Sequence, residues 1–309
     1  MAKTVSIVVP VFNEEDNINS FLEETNKVIQ TLKYKFDFWF IDDGSTDDTL
    51  KVVKDAQKKN KNIHYVTFSR NFGKEAALFA GLERSADYDY TIVMDVDLQD
   101  PPTLIPQMFK ELQEEDLDSV ATARSNRQGE AALKSWLSDF FYLLVSKVSK
   151  TKIVNGARDF RLMTKQMVNA ILSLPENQRF SKGIFTWVGF KTKYIKFPNR
   201  ERTQGKTKWN FWSLFKYAIE GLISFSTVPL TLVTVLGMLT MFVTFIAGVV
   251  IVIRYFLKIP SQFGWSSTVI IIMFFGGLQM FSLGIVGRYI ANIYLETKRR
   301  PIYIAKEIK

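Results

Sequence analysis

The sequence predicts an α/β domain built on a mostly parallel sheet with helices on both faces, followed by two transmembrane helices. Two observations predict this fold class. Between residues 1 and about 125, short apolar runs typical of strands alternate with segments of helical period, an order that favours parallel strands joined by crossover helices. From Val228 to Ile253 and from Ile259 to Gly287 there is no charged residue, and each stretch exceeds the ~20 apolar residues that cross a bilayer.

The alternation contains five predicted strands with helices between them. The strands are VSIVVPVF (5–12), FDFWFID (36–42), IHYVTFS (63–69), YTIVMD (90–95) and DSVATA (118–123). The helices are predicted over 16–32, 49–59, 74–85 and 102–114. Near-continuous apolar strands are typical of parallel sheets that are covered on both faces. Ligands of such sheets bind beyond the carboxyl ends of the strands.

Polar residues gather at the carboxyl ends of four of these strands. The segments are PVFNEED, DDGSTDDT, SRNFGKEAA and DVDLQD. Because the carboxyl ends of parallel strands meet at one edge of the sheet, we predict a ligand site there. Neither Gly-x-Gly-x-x-Gly nor Gly-x-x-x-x-Gly-Lys-Ser/Thr occurs in the sequence, so the usual dinucleotide and P-loop fingerprints are absent.

Asp95 and Asp97 follow the fourth predicted strand, one residue apart. In an extended chain, residues i and i+2 point to the same side. Two like charges on one side repel each other unless a cation or a hydrogen-bond network lies between them. The spacing therefore suggests a hard divalent ion such as Mg²⁺ or Mn²⁺. A solvated loop is the alternative interpretation, because Asp-x-Asp is short and aspartate is common in loops.

Five segments, in order along the chain, resemble those of family 2 glycosyltransferases. They are VVPVFNEEDNI, DDGSTDDT, SRNFGKEAALFAGL, DVDLQDPP and ARDFRLM. More narrowly, the chain resembles the membrane-anchored polyprenyl-phosphate glycosyltransferases related to bactoprenol glucosyltransferase and dolichol-phosphate mannose synthase. The resemblance covers nearly the whole chain. It implies a Rossmann-like GT-A fold and inverting transfer of a sugar from a nucleotide donor, with UDP-glucose favoured, to the phosphate of a membrane polyprenol such as undecaprenyl phosphate.

The resemblance also implies roles for particular residues on the donor side. It implies that Asp95 and Asp97 hold Mg²⁺ or Mn²⁺ against the donor diphosphate. The implied donor-binding residues are Pro10, Phe12, Glu14, Asp43, Lys74, Asp95 and Gln99. A carboxylate such as Asp43 only accepts hydrogen bonds and serves either uracil or guanine, so the base stays open, with a UDP-sugar favoured over a GDP-sugar. Gln99 and Lys74 have plainer alternatives, as a cap of the helix near 102 and as a solvated lysine at a helix start.

Asp159 lies in NGARDFRLMTK (155–165), and the resemblance makes it the candidate catalytic residue, usually described as the base. The second pKa of a phosphate monoester is near ~6. Most of a polyprenyl phosphate is therefore already dianionic at neutral pH and needs little proton removal. Asp159 is either a base or a group that orients the acceptor or an arginine, with Arg158 and Arg161 as adjacent candidates. A buried Asp–Arg pair is the structural alternative.

A basic segment precedes the first span and is the predicted acceptor-phosphate site. Its cations are Arg200, Arg202, Lys206 and Lys208, with Arg124 as a further cation from the far side of the site. They could hold the lipid phosphate close to the donor diphosphate, or they could only satisfy the positive-inside rule. Aromatic and lysine residues in 131–150 and 208–225 predict two helices lying in the membrane interface.

The predicted domains are a cytoplasmic catalytic domain over 1–226, a two-helix membrane domain over 227–294 and a basic cytoplasmic tail over 295–309. Positive charges flank both spans more densely than the loop between them, which predicts a cell-membrane protein with both termini cytoplasmic. The net charge of +9, concentrated near the spans, favours anionic lipid and not nucleic acid as a partner. Glycines within the spans permit helix association, and hence a homo-oligomer.

Two rival functions are weighed against this hypothesis. A processive polysaccharide synthase of the same superfamily carries a Gln-x-x-Arg-Trp motif, which QGKTKW (204–209) does not match. A catalytically inactive membrane scaffold is the other rival. It has no use for the converging carboxylates of Glu14, Asp95, Asp97 and Asp159.

Overall fold

The structure is a computed structural model of the chain, and it describes residues 2–124, 156–174, 176–197, 227–257 and 264–309. Two compact units make up the chain. The first comprises Met1–Gly221 with Arg300–Lys309, and the second comprises Leu222–Arg299.

An eight-stranded sheet forms the first unit. Its strands are β1 (Thr4–Val11), β2 (Lys35–Asp42), β3 (Ile63–Phe68), β4 (Tyr90–Val93), β5 (Ser119–Arg124), β6 (Ala157–Thr164), β7 (Thr192–Phe197) and β8 (Ala305–Ile308). Its helices are α1 (Ile18–Ile29), α2 (Thr49–Lys59), α3 (Lys74–Arg84), α4 (Ile105–Glu114), α5 (Lys165–Leu172) and α6 (Ser181–Trp187), with a 3-10 helix over Pro102–Leu104 before α4.

The strand order is β7-β5-β6-β4-β1-β2-β3-β8. Strands β4, β1, β2 and β3 are mutually parallel, and β7 is parallel to β5. Strand β6 is antiparallel to both β4 and β5, and β8 is antiparallel to β3. The predicted fold class, a mostly parallel α/β sheet, is confirmed. The insertion of β6 between β4 and β5 was not predicted, because the alternation of strands and helices does not encode which strands are neighbours.

The core of this unit lies where the helices pack on the sheet. In α1, the buried residues Ile18, Phe21, Leu22 and Ile29 recur at helical spacing, as an amphipathic helix over a core requires. Helix α3 lies very close to β1, since a Cβ added at Gly81 would stand 2.1 Å from a methyl of Val8. This close packing fixes the first residue of α3 at the carboxyl edge of the sheet.

Strand β8 joins the sheet through the C-terminal residues. Its Glu307 accepts a hydrogen bond from the Tyr65 hydroxyl at 2.7 Å and pairs with Lys54 at 2.6 Å. Tyr303, just before β8, donates a hydrogen bond to Glu83 at 2.6 Å. The predicted basic tail over 295–309 therefore contains an edge strand, which its short and charged sequence did not suggest.

The second unit contains two long helices, α7 (Val228–Phe256) and α8 (Trp265–Thr297). The candidate spans within them, Val228–Arg254 and Thr268–Thr297, have 27 and 30 residues and mean hydropathies of 2.6 and 2.3. At 1.5 Å per residue both reach about 40 Å or more, and a hydrocarbon core is about 30 Å thick. Both helices are long and apolar enough to cross a membrane, which agrees with the predicted pair. The predicted boundaries at 227 and 294 stay predictions.

Candidate active site

Asp43 lies directly beyond the end of β2 and fixes the loop that leads into α3. Its two carboxylate oxygens accept hydrogen bonds from the backbone amides of Phe72 at 2.6 Å and Gly73 at 2.9 Å. Burial raises the pKa of Asp43, and these amide bonds oppose the increase. Asp43, predicted to contact the base, therefore already has a structural task. Because each carboxylate oxygen accepts more than one hydrogen bond, a base N–H could still bind there.

The remaining predicted base and ribose residues follow β1. Pro10, Phe12 and Glu14 are half-buried. The Glu14 carboxylate accepts a hydrogen bond from the Asn17 side chain at 2.6 Å, and its backbone amide donates to the Thr49 hydroxyl at 2.8 Å. The structure therefore brings the ends of β1 and β2 together, and the nucleoside contacts stay predictions.

Asp159 reaches the same edge because β6 runs antiparallel to β4. The register pairs Val93 with Arg161, and continuing it by two residues sets Asp159 opposite Asp95. Residues separated by more than sixty positions in the sequence thus become neighbours in the sheet. The spacing of Asp95 and Asp97 in the sequence could not reveal this third carboxylate.

Lys74, the first residue of α3, joins Asp95 and Asp159. Its ammonium lies 2.7 Å from Oδ1 of Asp95 and 2.7 Å from Oδ2 of Asp159. Burial alone would lower the pKa of Lys74, but the charges of Asp159 and Asp95 raise it. Burial likewise would raise the pKa of Asp159, but Lys74, followed by Lys182, holds it well below the usual range. Asp159 is therefore an anion at neutral pH and a weak proton acceptor.

Arg158 ties β6 to the loop that carries the predicted metal ligands. Its Nε donates to Asp100 at 2.9 Å and its Nη2 donates to Gln99 at 3.0 Å. The backbone amide of Gln99 donates to the Asp97 carboxylate at 3.1 Å, and Leu98 between them has a φ of 55°. A positive φ is costly for a bulky residue and persists only where the surroundings impose it. The Gln99 side chain thus contacts Arg158. The alternative role of Gln99 as a helix cap is not seen, because neither the 3-10 helix over Pro102–Leu104 nor α4 has a side-chain cap at its start.

The residues present fit a divalent ion. Within the described ranges no group of three or more His, Cys, Asp or Glu side chains is placed to hold a metal, and Asp95 and Asp97 stay the predicted protein ligands. Mg²⁺ is commonly held by one or two carboxylates, with substrate phosphate oxygens and water completing its shell. Asp95 already attracts the ammonium of Lys74, as a carboxylate exposed to a cation would.

Several further residues border the site, and of these only Arg161 was named from the sequence, as a candidate partner of Asp159. Glu75 accepts hydrogen bonds from the backbone amide of Ser181 at 2.8 Å and from its hydroxyl, which ties the start of α6 to the start of α3. Lys182 follows on α6, and its charge lowers the pKa of Asp159. Arg161 is 2% exposed and stacks on the Phe185 ring at 3.7 Å. For the residues of α6, the sequence offered only a polar helix start as a signal. Polar residues are common at helix starts and do not by themselves indicate a site.

The predicted acceptor-phosphate cations lie at the limit of the described residues or outside them. Arg124 is the last residue of β5. Arg200, Arg202, Lys206 and Lys208 lie outside the described ranges, as do the predicted interfacial helices over 131–150 and 208–225. Their roles stay predictions.

The chain that folds in this way, with carboxylates gathered at the ends of its strands, matches a family of glycosyltransferases. The glycosyl transferase family 2 model matches residues 6–172. The first unit is also similar in fold to glucosyl-3-phosphoglycerate synthase from Mycobacterium tuberculosis, in the crystal structure with Mn²⁺, uridine diphosphate and phosphoglyceric acid. The TM-score is 0.51 and the identity 16%, over 72% of this chain and 76% of that chain.

Curated relatives extend the match to almost the whole chain. The chain is 40% identical over 303 residues to the putative glycosyltransferase CsbB of Bacillus subtilis (strain 168), covering 98% of this chain and 91% of the relative. It is 40% identical over 305 residues to the prophage bactoprenol glucosyl transferase homolog of Escherichia coli (strain K12) and 39% identical over 305 residues to the bactoprenol glucosyl transferase of Shigella phage SfX, covering 99% of each chain. The chain belongs to glycosyl transferase family 2, as the sequence predicts.

Proposed function

We propose that this glycosyltransferase transfers glucose from UDP-glucose to the phosphate of undecaprenyl phosphate, with inversion and with Mg²⁺ or Mn²⁺. The observation that carries the proposal is the similarity to bactoprenol glucosyl transferases, which covers 99% of both chains at 39% to 40% identity. It includes the membrane helices as well as the catalytic domain.

On the donor side, the proposal is supported by the carboxylates at the ends of β1, β2 and β4. A divalent ion held by Asp95 and Asp97 would neutralise charge on the leaving diphosphate. The loop held by Arg158 keeps Asp97 and Gln99 in a fixed backbone arrangement. The similar M. tuberculosis synthase was crystallised with Mn²⁺ and uridine diphosphate, which supports the same donor class here.

On the acceptor side, the attacking group is a phosphate oxygen that is mostly ionised at neutral pH. A dianion needs orientation and charge screening more than it needs a base. Asp159, paired with Lys74, is suited to orient groups around the attacking oxygen. Lys182, with the predicted cations Arg202 and Lys208, would screen the lipid phosphate from the donor diphosphate.

The proposed topology places the catalytic domain, and both ends of the helix pair, on the cytoplasmic face. Strand β8 follows α8 and pairs with β3, which supports placing both ends of the helix pair on one side of the membrane. Two spans fit this placement, as any even number does. The excess of positive charge next to that domain supports the cytoplasmic side.

The test uses purified protein with undecaprenyl phosphate and UDP-glucose, UDP-N-acetylglucosamine or GDP-mannose. Each donor is supplied with Mg²⁺, Mn²⁺ or a chelator, and the lipid product is identified by mass spectrometry. We expect one hexose on the lipid from UDP-glucose and no product in chelator. The rival polysaccharide synthase would instead produce chains of several sugars, and an inactive scaffold would produce nothing with any donor.

A further inference from the structure

Lys74 lies between the predicted donor side and the predicted acceptor side of the site. One of its partners, Asp95, is a predicted ligand of the divalent ion, and the other, Asp159, is the predicted acceptor-side carboxylate. Its ammonium also lies 2.9 Å from the second oxygen of Asp95. Both oxygens of Asp95 therefore face a cation that the protein itself supplies.

A divalent ion bound to Asp95 would lie close to the positively charged ammonium of Lys74. Two positive charges that share one carboxylate repel each other. Lys74 must then move, or the divalent ion binds weakly. The side chain of Lys74 is 44% exposed, and a lysine ammonium moves readily on its flexible four-carbon stem.

The backbone beneath Lys74 is fixed even though its side-chain tip can move. Asp43 holds the amides of Phe72 and Gly73, and Gly73 adopts a φ of 97° directly before α3. The stem of Lys74 therefore starts from a fixed point at the strand ends, where a donor diphosphate would also lie. A phosphate oxygen is a strong acceptor for an ammonium.

We propose that Lys74 is an internal counter-ion, which holds Asp95 in the absence of donor and transfers to the donor diphosphate when the divalent ion binds Asp95. The inference rests on the proposed function, because it requires a diphosphate donor and a metal at Asp95. It adds a coupling: the nucleotide draws Lys74 away and thereby strengthens metal binding. By linkage, the metal strengthens nucleotide binding by the same factor.

The experiment measures Mn²⁺ binding by electron paramagnetic resonance, with and without UDP, in the full-length protein and three variants. Lys74→Gln removes the counter-ion and Lys74→Arg keeps its charge. Lys193→Gln is the matched control, because Lys193 also bridges two carboxylates, Glu111 and Glu115, away from the site. No sugar transfer is needed, so failure of the proposed reaction leaves the binding result interpretable.

We expect Lys74→Gln to bind Mn²⁺ alone about tenfold more tightly than the wild type, since a nearby positive charge is gone. The factor by which UDP strengthens Mn²⁺ binding should fall by a similar amount. Lys74→Arg and Lys193→Gln should stay near the wild-type values. Direct coordination of Mn²⁺ by the diphosphate also strengthens Mn²⁺ binding in every variant. The proposal is therefore tested by the difference in this UDP factor between Lys74→Gln and the wild type.

Unchanged or weaker Mn²⁺ binding in Lys74→Gln would overturn the proposal, as would UDP coupling of wild-type size in that variant. If Lys74→Gln does not fold, the wild-type protein still provides a test. In that protein, UDP must strengthen Mn²⁺ binding, and independence of the two ligands would contradict the counter-ion role.

Discussion

Replacing Arg158 with methionine should destabilise the catalytic domain, because the change leaves a buried carboxylate without its cation. Asp100 is 1% exposed, and Arg158 Nε donates to its Oδ1 at 2.9 Å. The other oxygen of Asp100 has no hydrogen-bond partner among the described residues. Burial raises the pKa of Asp100 and the charge of Arg158 opposes this increase, so Arg158 favours the charged form of the carboxylate.

The magnitude follows from the burial of the pair. Removing one partner of a buried ion pair costs about 3–5 kcal/mol, whereas an exposed pair contributes about 0–1 kcal/mol. For a domain of this size, each kcal/mol lowers the melting temperature by about 2–4 °C. We therefore expect Arg158→Met to lower the melting temperature by roughly 10 °C. Lys193→Gln, at the partly exposed pairs with Glu111 and Glu115, should lower it by about 4 °C or less.

The assay is thermal unfolding of detergent-purified protein followed by circular dichroism, arranged as a double-mutant cycle. Asp100→Asn in the Arg158→Met background removes the unpaired charge and should restore part of the lost stability. Two results would show that solvent screens the pair and that the reasoning from burial is wrong. One is a decrease below about 1 kcal/mol in the free energy of unfolding of Arg158→Met, and the other is no recovery of that free energy in the double variant.

Three further outcomes are expected. Asp95→Asn or Asp97→Asn should abolish transfer and weaken Mn²⁺-dependent UDP binding with an unchanged circular dichroism spectrum; full activity in excess chelator would contradict the metal assignment. Asp159→Asn should lose most turnover with a flat pH–rate profile above pH ~6, since the phosphate is already ionised; a rate that climbs steeply with pH would support a base. Lys54 and Tyr65 lower the pKa of Glu307 to about 2, so its contribution is present above its unfolded pKa and lost as pH falls towards 2. The protection of the β8 amides against exchange, relative to the intrinsic rate at each pH, should fall over that range, and Glu307→Gln should copy the effect at neutral pH; full protection in both would refute it.

The sequence was sufficient for features that depend on local pattern. Apolar runs located β1 to β5, helical periodicity located the helices between them, and the absence of charge located α7 and α8. The predicted metal ligands Asp95 and Asp97 also follow from local pattern, because a strand end and an i, i+2 spacing are visible in one short segment. These features need no knowledge of which elements become neighbours.

Features that depend on distant pairing could not be predicted in this way. The contact of Lys74 with Asp159 requires β6 to pair with β4, and the ion pair of Arg158 with Asp100 requires the same register. Strand β8 has four residues, of which the central two, Lys306 and Glu307, are charged, which is also typical of an exposed tail. Its pairing with β3 depends on an open sheet edge that only the assembled fold provides.

The family match also divides the predicted site residues along the chain. The family 2 match over residues 6–172 ends with α5 and includes Asp43, Lys74, Asp95 and Asp159. Beyond it lie α6 with Lys182, the predicted basic segment and the two membrane helices. The candidate donor-side carboxylates therefore lie within the family match, whereas Lys182, whose charge lowers the pKa of Asp159, lies beyond it. Of the features predicted to serve lipid recognition, Arg124 and the segment over 131–150 lie inside the family match, whereas the basic segment with Arg202 and Lys208 and the two long apolar helices lie beyond it.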